Sequence, residues 1–305
     1  MTFLHGIQSA KFYANSGAAL EVDAGAIPTG ALPRLFTVSP TKKVRFSKGN
    51  LQFQASTSTW RFAEHQHDYV GDNTKGTVYV DEVKCSNNNI AYDYTGWIDL
   101  FGWGTSGVNH GAESYYPWAT SGNFCAYGNP NANLFDDPGT ADWGYNAISN
   151  GGNTTNYGWR TLTTQEWQYL LGLSGTAGVN YRDYYRRYFR GNIRIDDVNY
   201  WGVIIFPDSY DSDYPYLGLS GATNPVPAAD WEKMQSVGAV FIPAAGRRNG
   251  GGNSPDCVGT NIWYWSSTRY SSGDAHNIYD SGQYFNAGTY SSKASGYSVR
   301  LVIDR

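Results

Sequence analysis

The stretch GWRTLTTQEWQYLLG, residues 158–172, contains the clearest helix of the sequence. Thr163 can cap its amino terminus, and Glu166, three residues later, completes a capping box. Gly172 can end the helix, because glycine readily adopts the left-handed conformation that follows a last turn. The apolar residues that share one face of this helix are Trp167, Leu170 and Leu171. The pattern predicts a short amphipathic helix that packs on another layer.

Strands are predicted on both sides of this helix. WGVIIF (201–206) and AVFIPA (239–244) are apolar runs, and PAADWEKMQSVG (227–238) between them predicts a second helix that ends at Gly238. Earlier in the chain, LFTVS (35–39) and KVRFSKGNLQF (43–53) alternate between apolar and polar residues, which is typical of strands. Two helices among many short strands predict an α+β domain with long ordered loops.

A final strand is predicted over residues 297–303 because its side chains alternate. One face carries Tyr297, Val299, Leu301 and Ile303, and the other carries Ser298, Arg300 and Val302.

The composition supports this class. The 305 residues include 25 Tyr, 11 Trp and 36 Gly, with only 16% charged residues and a net charge of -4. Aromatic and glycine-rich chains of low charge favour short strands and ordered loops over helical bundles or disorder. The chain has no Lys/Arg-rich run, so we expect no nucleic-acid partner. No apolar run is long enough for a membrane helix, and we expect no membrane insertion.

The amino-terminal part differs from the rest. Residues 1–34 are rich in Ala and Gly and end in AGAIPTGALPR, which indicates an arm, a linker or an oligomerisation segment. The main domain is predicted over residues 35–305. MTFLHGIQSAKFYANSG lacks a charged region followed by a continuous apolar run, so no signal peptide is predicted.

Candidate metal and thiol sites are weak. Cys85, Cys125 and Cys257 are widely spaced and give no disulfide framework, although one disulfide with a leftover thiol is open. His65 and His67 form an HxH pair for which no third ligand is indicated nearby. A stretch rich in side-chain oxygens leaves a structural Ca²⁺ ion open as an alternative to a turn; its residues are Asp136, Asp137, Asp142 and Asn146. No catalytic residue, metal ligand or cofactor is assigned.

A polar, aromatic segment lies between two apolar ones near the end of the chain. From Ser266 to Ser298 there are nine Ser and five Tyr, and Ile278 is the one large aliphatic residue. Trp263 and Trp265 precede this segment, and the predicted final strand follows it. We expect a solvent-facing loop over about residues 266–297, held by buried flanking strands.

Several blocks resemble a known family. GWRTLTTQEWQYLL, YWSS and GYSVRLV resemble the helix entry, the late tryptophan strand and the terminal strand of the formylglycine-generating-enzyme branch of the C-type lectin fold. KKVRFSKGNLQFQAS, TWRFAEHQHDYVG, GWIDLFGWGTSG and ADWGYNAISNGGN are similar to blocks in variable proteins of diversity-generating retroelements, found in phages and Bacteroidales. The resemblance covers residues 35–305 and implies a C-type lectin-like fold.

The enzymes of that fold use residues that this chain lacks. Their copper-binding cysteine pair would lie near the C-terminal end, where Cys257 stands alone. The histidine cluster of related iron enzymes is missing too, because His276 is the one histidine after His110. The resemblance therefore implies a binding protein without catalysis.

In the resembling family, the region between the WSS strand and the final strand varies between copies and contacts the ligand. Exposed Tyr supplies contact area at low entropic cost, and Ser, Gly and Asn supply adaptable hydrogen bonds, as in antibody paratopes. The ligand-binding positions that this implies are Arg269, Tyr270, Gly273, Asp274, His276, Asn277, Tyr279, Tyr284, Asn286, Thr289, Tyr290, Ser292 and Ser295.

The expected partner is a receptor on a bacterial surface, either a protein or a glycan. The resemblance and the lack of a predicted signal peptide favour a phage tail protein, with display on a bacterial cell as the alternative. A homo-oligomer built through residues 1–34 is open. Two other functions also stay open. One is an enzyme of the same fold that uses His65, His67, His110 or Cys125. The other is a carbohydrate-binding module that stacks aromatic side chains on sugar rings without the EPN or WND calcium motifs of lectins.

Overall fold

The computed structural model describes residues 26–89, 91–106, 131–136, 141–152, 158–172, 187–209, 225–249 and 254–305. In these ranges the chain is a mixed α+β protein with small sheets and two α-helices, so the predicted class is confirmed.

Both helices form where their local signals predict them. Helix α1 spans Thr164–Leu171. The Thr163 hydroxyl accepts a hydrogen bond from the Glu166 amide, and the Glu166 carboxylate accepts one from the Thr163 amide, which completes the capping box. Gly172 follows in the left-handed conformation with φ 64°. Helix α2 spans Ala228–Ser236 and buries Trp231 and Met234, and Gly238 after it has φ +94°.

The strands are short, and most pair with sequence neighbours. They are β1 Phe36–Ser39, β2 Lys42–Phe46, β3 Leu51–Gln54, β4 Thr59–Phe62, β5 Tyr79–Val80, β6 Val83–Lys84, β7 Trp97–Ile98, β8 Arg160–Thr161, β9 Tyr188–Ile195, β10 Val198–Ile205, β11 Val240–Pro243, β12 Arg247–Arg248, β13 Pro255–Asp256, β14 Ile262–Arg269, β15 Asp274–Asp280, β16 Phe285–Ser292 and β17 Leu301–Asp304.

One sheet joins distant parts of the chain. Its strand order is β1-β2-β17-β8, and every neighbouring pair is antiparallel. The predicted final strand is shorter in the structure, but its two faces are as predicted. Tyr297, Val299 and Leu301 are buried in one core cluster, and Val302 is buried in another.

Three further sheets have three strands each. Their orders are β11-β10-β9, β4-β3-β7 and β14-β15-β16, and two-stranded ladders join β5 to β6 and β12 to β13. The sheet β14-β15-β16 lies between the two largest core clusters. Ile262 and Tyr264 enter the cluster that also contains α1, and Trp263 and Trp265 enter the other.

The solvent-facing loop predicted over residues 266–297 is wrong as a loop. Most of that segment forms β15, β16 and the end of β14. Tyr and Thr favour strands, and small buried residues such as Ala275 and Ala287 let the sheet pack closely on the core. The lack of large aliphatic residues therefore reflects close packing and not an irregular backbone.

The end of the predicted arm lies against the sheet β1-β2-β17-β8. Leu32 donates its amide to the Phe46 carbonyl at 2.7 Å, and Ala31 forms a bridge with Ser47. Residues 1–25 lie outside the described residues.

Candidate ligand-binding surface

The sheet β14-β15-β16, residues 262–292, is held to the core by its buried residues. Trp265 donates its indole N–H to the Phe101 carbonyl at 2.6 Å, and its ring lies 4.3 Å from that of Tyr297. The hydroxyl groups of Ser266 and Thr164 lie 2.9 Å apart, which ties β14 to the start of α1. These contacts hold the sheet without using its exposed side chains.

An ion pair between a buried carboxylate and a half-buried arginine fixes the far end of the sheet. Asp280, fully buried at the end of β15, accepts two hydrogen bonds from Arg190 of β9, at 2.5 and 2.8 Å. The Asp280 carboxylate also accepts from the Gly282 amide at 2.7 Å. The paired, bidentate geometry fixes both the position and the orientation of the β15–β16 turn.

Three tyrosines project into solvent from this sheet and its turns. Tyr270, Tyr284 and Tyr290 are 48%, 53% and 54% exposed. The rings of Tyr270 and Tyr290 are stacked, with centroids 3.8 Å apart and an angle of 6° between their planes. Tyr270 also meets His276 edge-on at 5.3 Å. The β14–β15 end of the sheet therefore presents a preformed aromatic cluster.

An open pocket of about 350 Å³ lies on the face of the sheet that carries Trp263. The pairing register places Tyr279 opposite Trp263, and Asn277 opposite both Trp265 and Thr289, so these side chains share that face. The described residues that line the pocket are Arg247, Cys257, Asn261, Trp263, Asn277, Tyr279, Thr289, Tyr290 and Ser291.

Hydrogen bonds fix the polar floor of the pocket. Asn277 donates its amide N–H to the Ser291 hydroxyl at 3.1 Å and accepts from the Thr289 hydroxyl at 2.8 Å. Asn277 is therefore buried but satisfied, and it orders two hydroxyl-bearing neighbours on the adjacent strand.

One wall of the pocket is aromatic and cationic. The Trp263 ring lies 5.1 Å from the ring of Tyr279, and the Arg247 guanidinium lies 4.6 Å from the Trp263 centroid. Arg247 also donates its Nε–H to Asp256 at 3.0 Å. A guanidinium held against an indole by an ion pair is pre-organised for a ligand.

The thirteen predicted positions have unequal exposure. Tyr270, Tyr284 and Tyr290 are exposed, whereas Asn277 and Ser295 are buried. The pocket brings together Asn277, Tyr279, Thr289 and Tyr290. The half-buried positions are Arg269, Gly273, Asp274, His276, Tyr279, Asn286, Thr289 and Ser292.

Some predicted positions have evident structural contacts. The Asp274 carboxylate accepts from the Ser271 hydroxyl at 2.8 Å, and the Asp274 carbonyl accepts from the Tyr270 amide at 3.0 Å, so Asp274 shapes the β14–β15 turn. His276 places Nδ1 3.2 Å from the Gly288 carbonyl.

Five pocket residues were missed by the sequence prediction. They are Arg247, Cys257, Asn261, Trp263 and Ser291. Four of them precede the polar segment. The pairing of β14 with β15 brings Trp263 beside that segment, and the stretch around Arg247 reaches it through contacts with Asn261 and Trp263. A signal was present in RRNGGGNSPD (247–256), a turn-rich stretch of the kind that often borders a site.

The candidate metal residues that the structure describes lie apart from one another or have other contacts. Of the described residues, no group of three or more His, Cys, Asp or Glu could hold a metal ion. His65 and His67 stack on each other at 5.4 Å, and burial lowers the pKa of His67. Cys85 is a buried free thiol and Cys257 an exposed one.

The predicted oxygen-rich stretch has other contacts. Asp142 caps the short 3-10 helix Trp143–Tyr145 and accepts hydrogen bonds from Gly144 and Thr161. Asp136 accepts from the Asn133 amide, and Asn146 donates to the Ser106 carbonyl. His110, Cys125 and Asp137 lie outside the described residues.

Among the described helices, none has the length and apolar character needed to cross a bilayer. No family model, curated protein or solved structure matches this chain.

Proposed function

We propose that this protein is a non-catalytic ligand-binding protein, and that the surface of the sheet β14-β15-β16 recognises a receptor. The observation that carries the proposal is that one set of side chains anchors the sheet while a different set is exposed to solvent. Trp263, Trp265 and Asp280 hold it to the core, whereas Tyr270, Tyr284 and Tyr290 are about half exposed. Exposed tyrosines on a rigid frame bind at low entropic cost.

The resemblance to variable proteins of diversity-generating retroelements adds the biological setting to the proposal. In this setting the domain has a C-type lectin-like fold, and side chains between residues 266 and 297 differ between copies. The receptor is a protein or glycan on a bacterial cell, and the protein itself is carried on a phage tail. Display on a bacterial surface is the alternative, and residues 1–34 attach or oligomerise the domain in either case.

The alternation of burial along β15 and β16 fits such a surface. Ala275, Ile278 and Ala287 are buried, and they contribute to the core whatever their exposed neighbours are. Substitutions at exposed positions usually change the free energy of unfolding by less than about 0.5 kcal/mol. The exposed positions can therefore change without loss of the fold.

A tyrosine replacement tests the proposal. The triple variant Tyr270→Ser, Tyr284→Ser and Tyr290→Ser removes the exposed rings of the sheet. We expect at least a tenfold loss of binding to Bacteroidales cells, measured by labelled-protein adsorption, because buried aromatic contacts dominate such interfaces.

The matched control is the double variant Tyr79→Ser and Tyr92→Ser, which removes rings that are 55% and 70% exposed outside this sheet. The control should bind like the unaltered protein. Equal binding by the triple variant, or no binding of the unaltered protein to any strain of a broad panel, contradicts the proposal.

A further inference from the structure

The pocket beside Trp263 has one positive side chain and no acidic one among the described residues that line it. The positive side chain is Arg247. Its Nε contact, Asp256, lies outside the set of lining residues. The lining therefore favours a ligand group with negative charge.

Arg247 keeps hydrogen-bonding capacity for such a group. It contacts Asp256 and the Tyr297 hydroxyl, whereas a guanidinium carries five N–H donors in a planar fork. That fork matches the two oxygens of a carboxylate. Contact with the Trp263 ring fixes the plane of the fork before a ligand arrives.

Apart from Arg247, Trp263 and the Cys257 thiol, the lining residues carry hydroxyl or amide groups. They are Asn261, Asn277, Tyr279, Thr289, Tyr290 and Ser291. A carboxylate alone would use few of these groups. Asn277, Thr289 and Ser291 already bond to one another, but the two hydroxyl groups among them can form further hydrogen bonds, which an apolar ligand would not use. A volume of about 350 Å³ lies at the low end of the range for small-ligand pockets, and the open side leaves room for the rest of a longer ligand. A ligand with several hydroxyl groups and one carboxylate fits this lining best.

We infer that the pocket binds an acidic sugar residue of a surface glycan. The carboxylate lies on Arg247, the hydroxyl groups meet the amide and hydroxyl side chains, and the ring packs against Tyr279. This inference rests on the proposed function and assigns the chemical class of its receptor. Arg247 and Asn261 precede the predicted variable segment, so the preference for a negative group stays fixed while neighbouring side chains change.

Sugar binding to the full chain tests the inference. The probes are trigalacturonic acid and sialyllactose, with the methyl ester of the first and lactose as matched neutral sugars. Affinities are measured by titration calorimetry for the unaltered protein and for Arg247→Gln. We expect an acidic probe to bind about 10- to 100-fold more tightly than its neutral counterpart, and Arg247→Gln to remove that difference, because a charge-assisted hydrogen bond is lost.

Three further arms make the result decisive. Arg194→Gln, which removes one charge from β9, should bind like the unaltered protein. Arg247→Lys should keep part of the preference, because the charge remains. An acetylated, amidated triglutamate peptide tests whether a protein carboxylate serves as well. If Arg247→Gln does not fold, the acid and ester probes on the unaltered protein still show whether the pocket prefers a negative group.

The inference is overturned if neutral and acidic sugars bind equally, if no sugar binds, or if the peptide binds more tightly than both acidic sugars. Cell binding that depends on the exposed tyrosines would survive each of these results, so the proposed function and the sugar assignment can fail separately.

Discussion

At the scale of single residues, a buried carboxylate and its half-buried arginine partner hold the candidate surface in place. Asp280 is fully buried and its main partner is Arg190, which reaches it from a different sheet. A buried ion pair adds little net stability over apolar packing, but removing one partner leaves an uncompensated charge. The pair therefore orients the β15–β16 turn, and its loss should lower the free energy of unfolding.

Replacing Arg190 by Met should lower the free energy of unfolding by about 3–5 kcal/mol, because the Asp280 carboxylate would stay buried without its cation. Chemical denaturation measures this. The double variant Arg190→Met with Asp280→Leu should recover much of the loss. A single variant as stable as the unaltered protein would show that the pair does not hold the turn.

At the scale of elements, helix α1 is determined by signals in its own stretch of sequence. Its cap, its acidic N3 residue and its stop all lie within ten positions of one another, so Thr163, Glu166 and Gly172 could be assigned without any tertiary contact. Helix α2 was predictable for the same reason, from its apolar pair and Gly238.

Replacing Thr163 by Ala should cost about 1 kcal/mol of stability, because the Glu166 amide would lose its hydroxyl acceptor. Thr163→Ser is the matched control, since it keeps the hydroxyl and should stay within a few tenths of a kcal/mol of the unaltered protein. Denaturant titration of both variants decides, and equal stability of the Ala and Ser variants would contradict the role of the cap.

The strands β15 and β16 could not be assigned in the same way. Their sequence lacks the alternation of aliphatic and polar residues that marks a strand. They form a sheet because β15 pairs with β14 and β16 pairs with β15. Asn277 illustrates the difficulty. An asparagine in a polar stretch suggests a loop, but hydrogen bonds to Ser291 and Thr289 bury it in the sheet. The pocket was missed for the same reason, because Arg247 meets Trp263 only after the chain has folded.

At the scale of the whole molecule, one buried carboxylate couples the stability of the fold to pH. Asp99 is fully buried, and it accepts hydrogen bonds from the Val70 amide and the Asn87 side chain at 2.8 and 2.9 Å. Burial raises its pKa to about 6, above the 3.8 of an ordinary aspartate. The folded protein therefore keeps this proton to a higher pH than the unfolded chain does.

Between about pH 4 and pH 6 the contribution of Asp99 to stability should fall as pH rises, because the folded state binds more protons there. The raised pKa corresponds to about 3 kcal/mol in total. Denaturation of the unaltered protein and Asp99→Asn across pH 3.5–7 measures this. Subtracting the two curves should isolate the slope, and parallel curves would contradict the assignment.

The position of β17 has a consequence for how the protein is made. Residues 301–304 lie between β2 and β8, although a ribosome synthesises them after both. The sheet β1-β2-β17-β8 therefore cannot close during translation until residue 304 has emerged from the exit tunnel. Until then β2 and β8 each have an unpaired edge, which can pair with other chains. A nascent chain stalled before residue 301 should therefore need a chaperone to prevent aggregation.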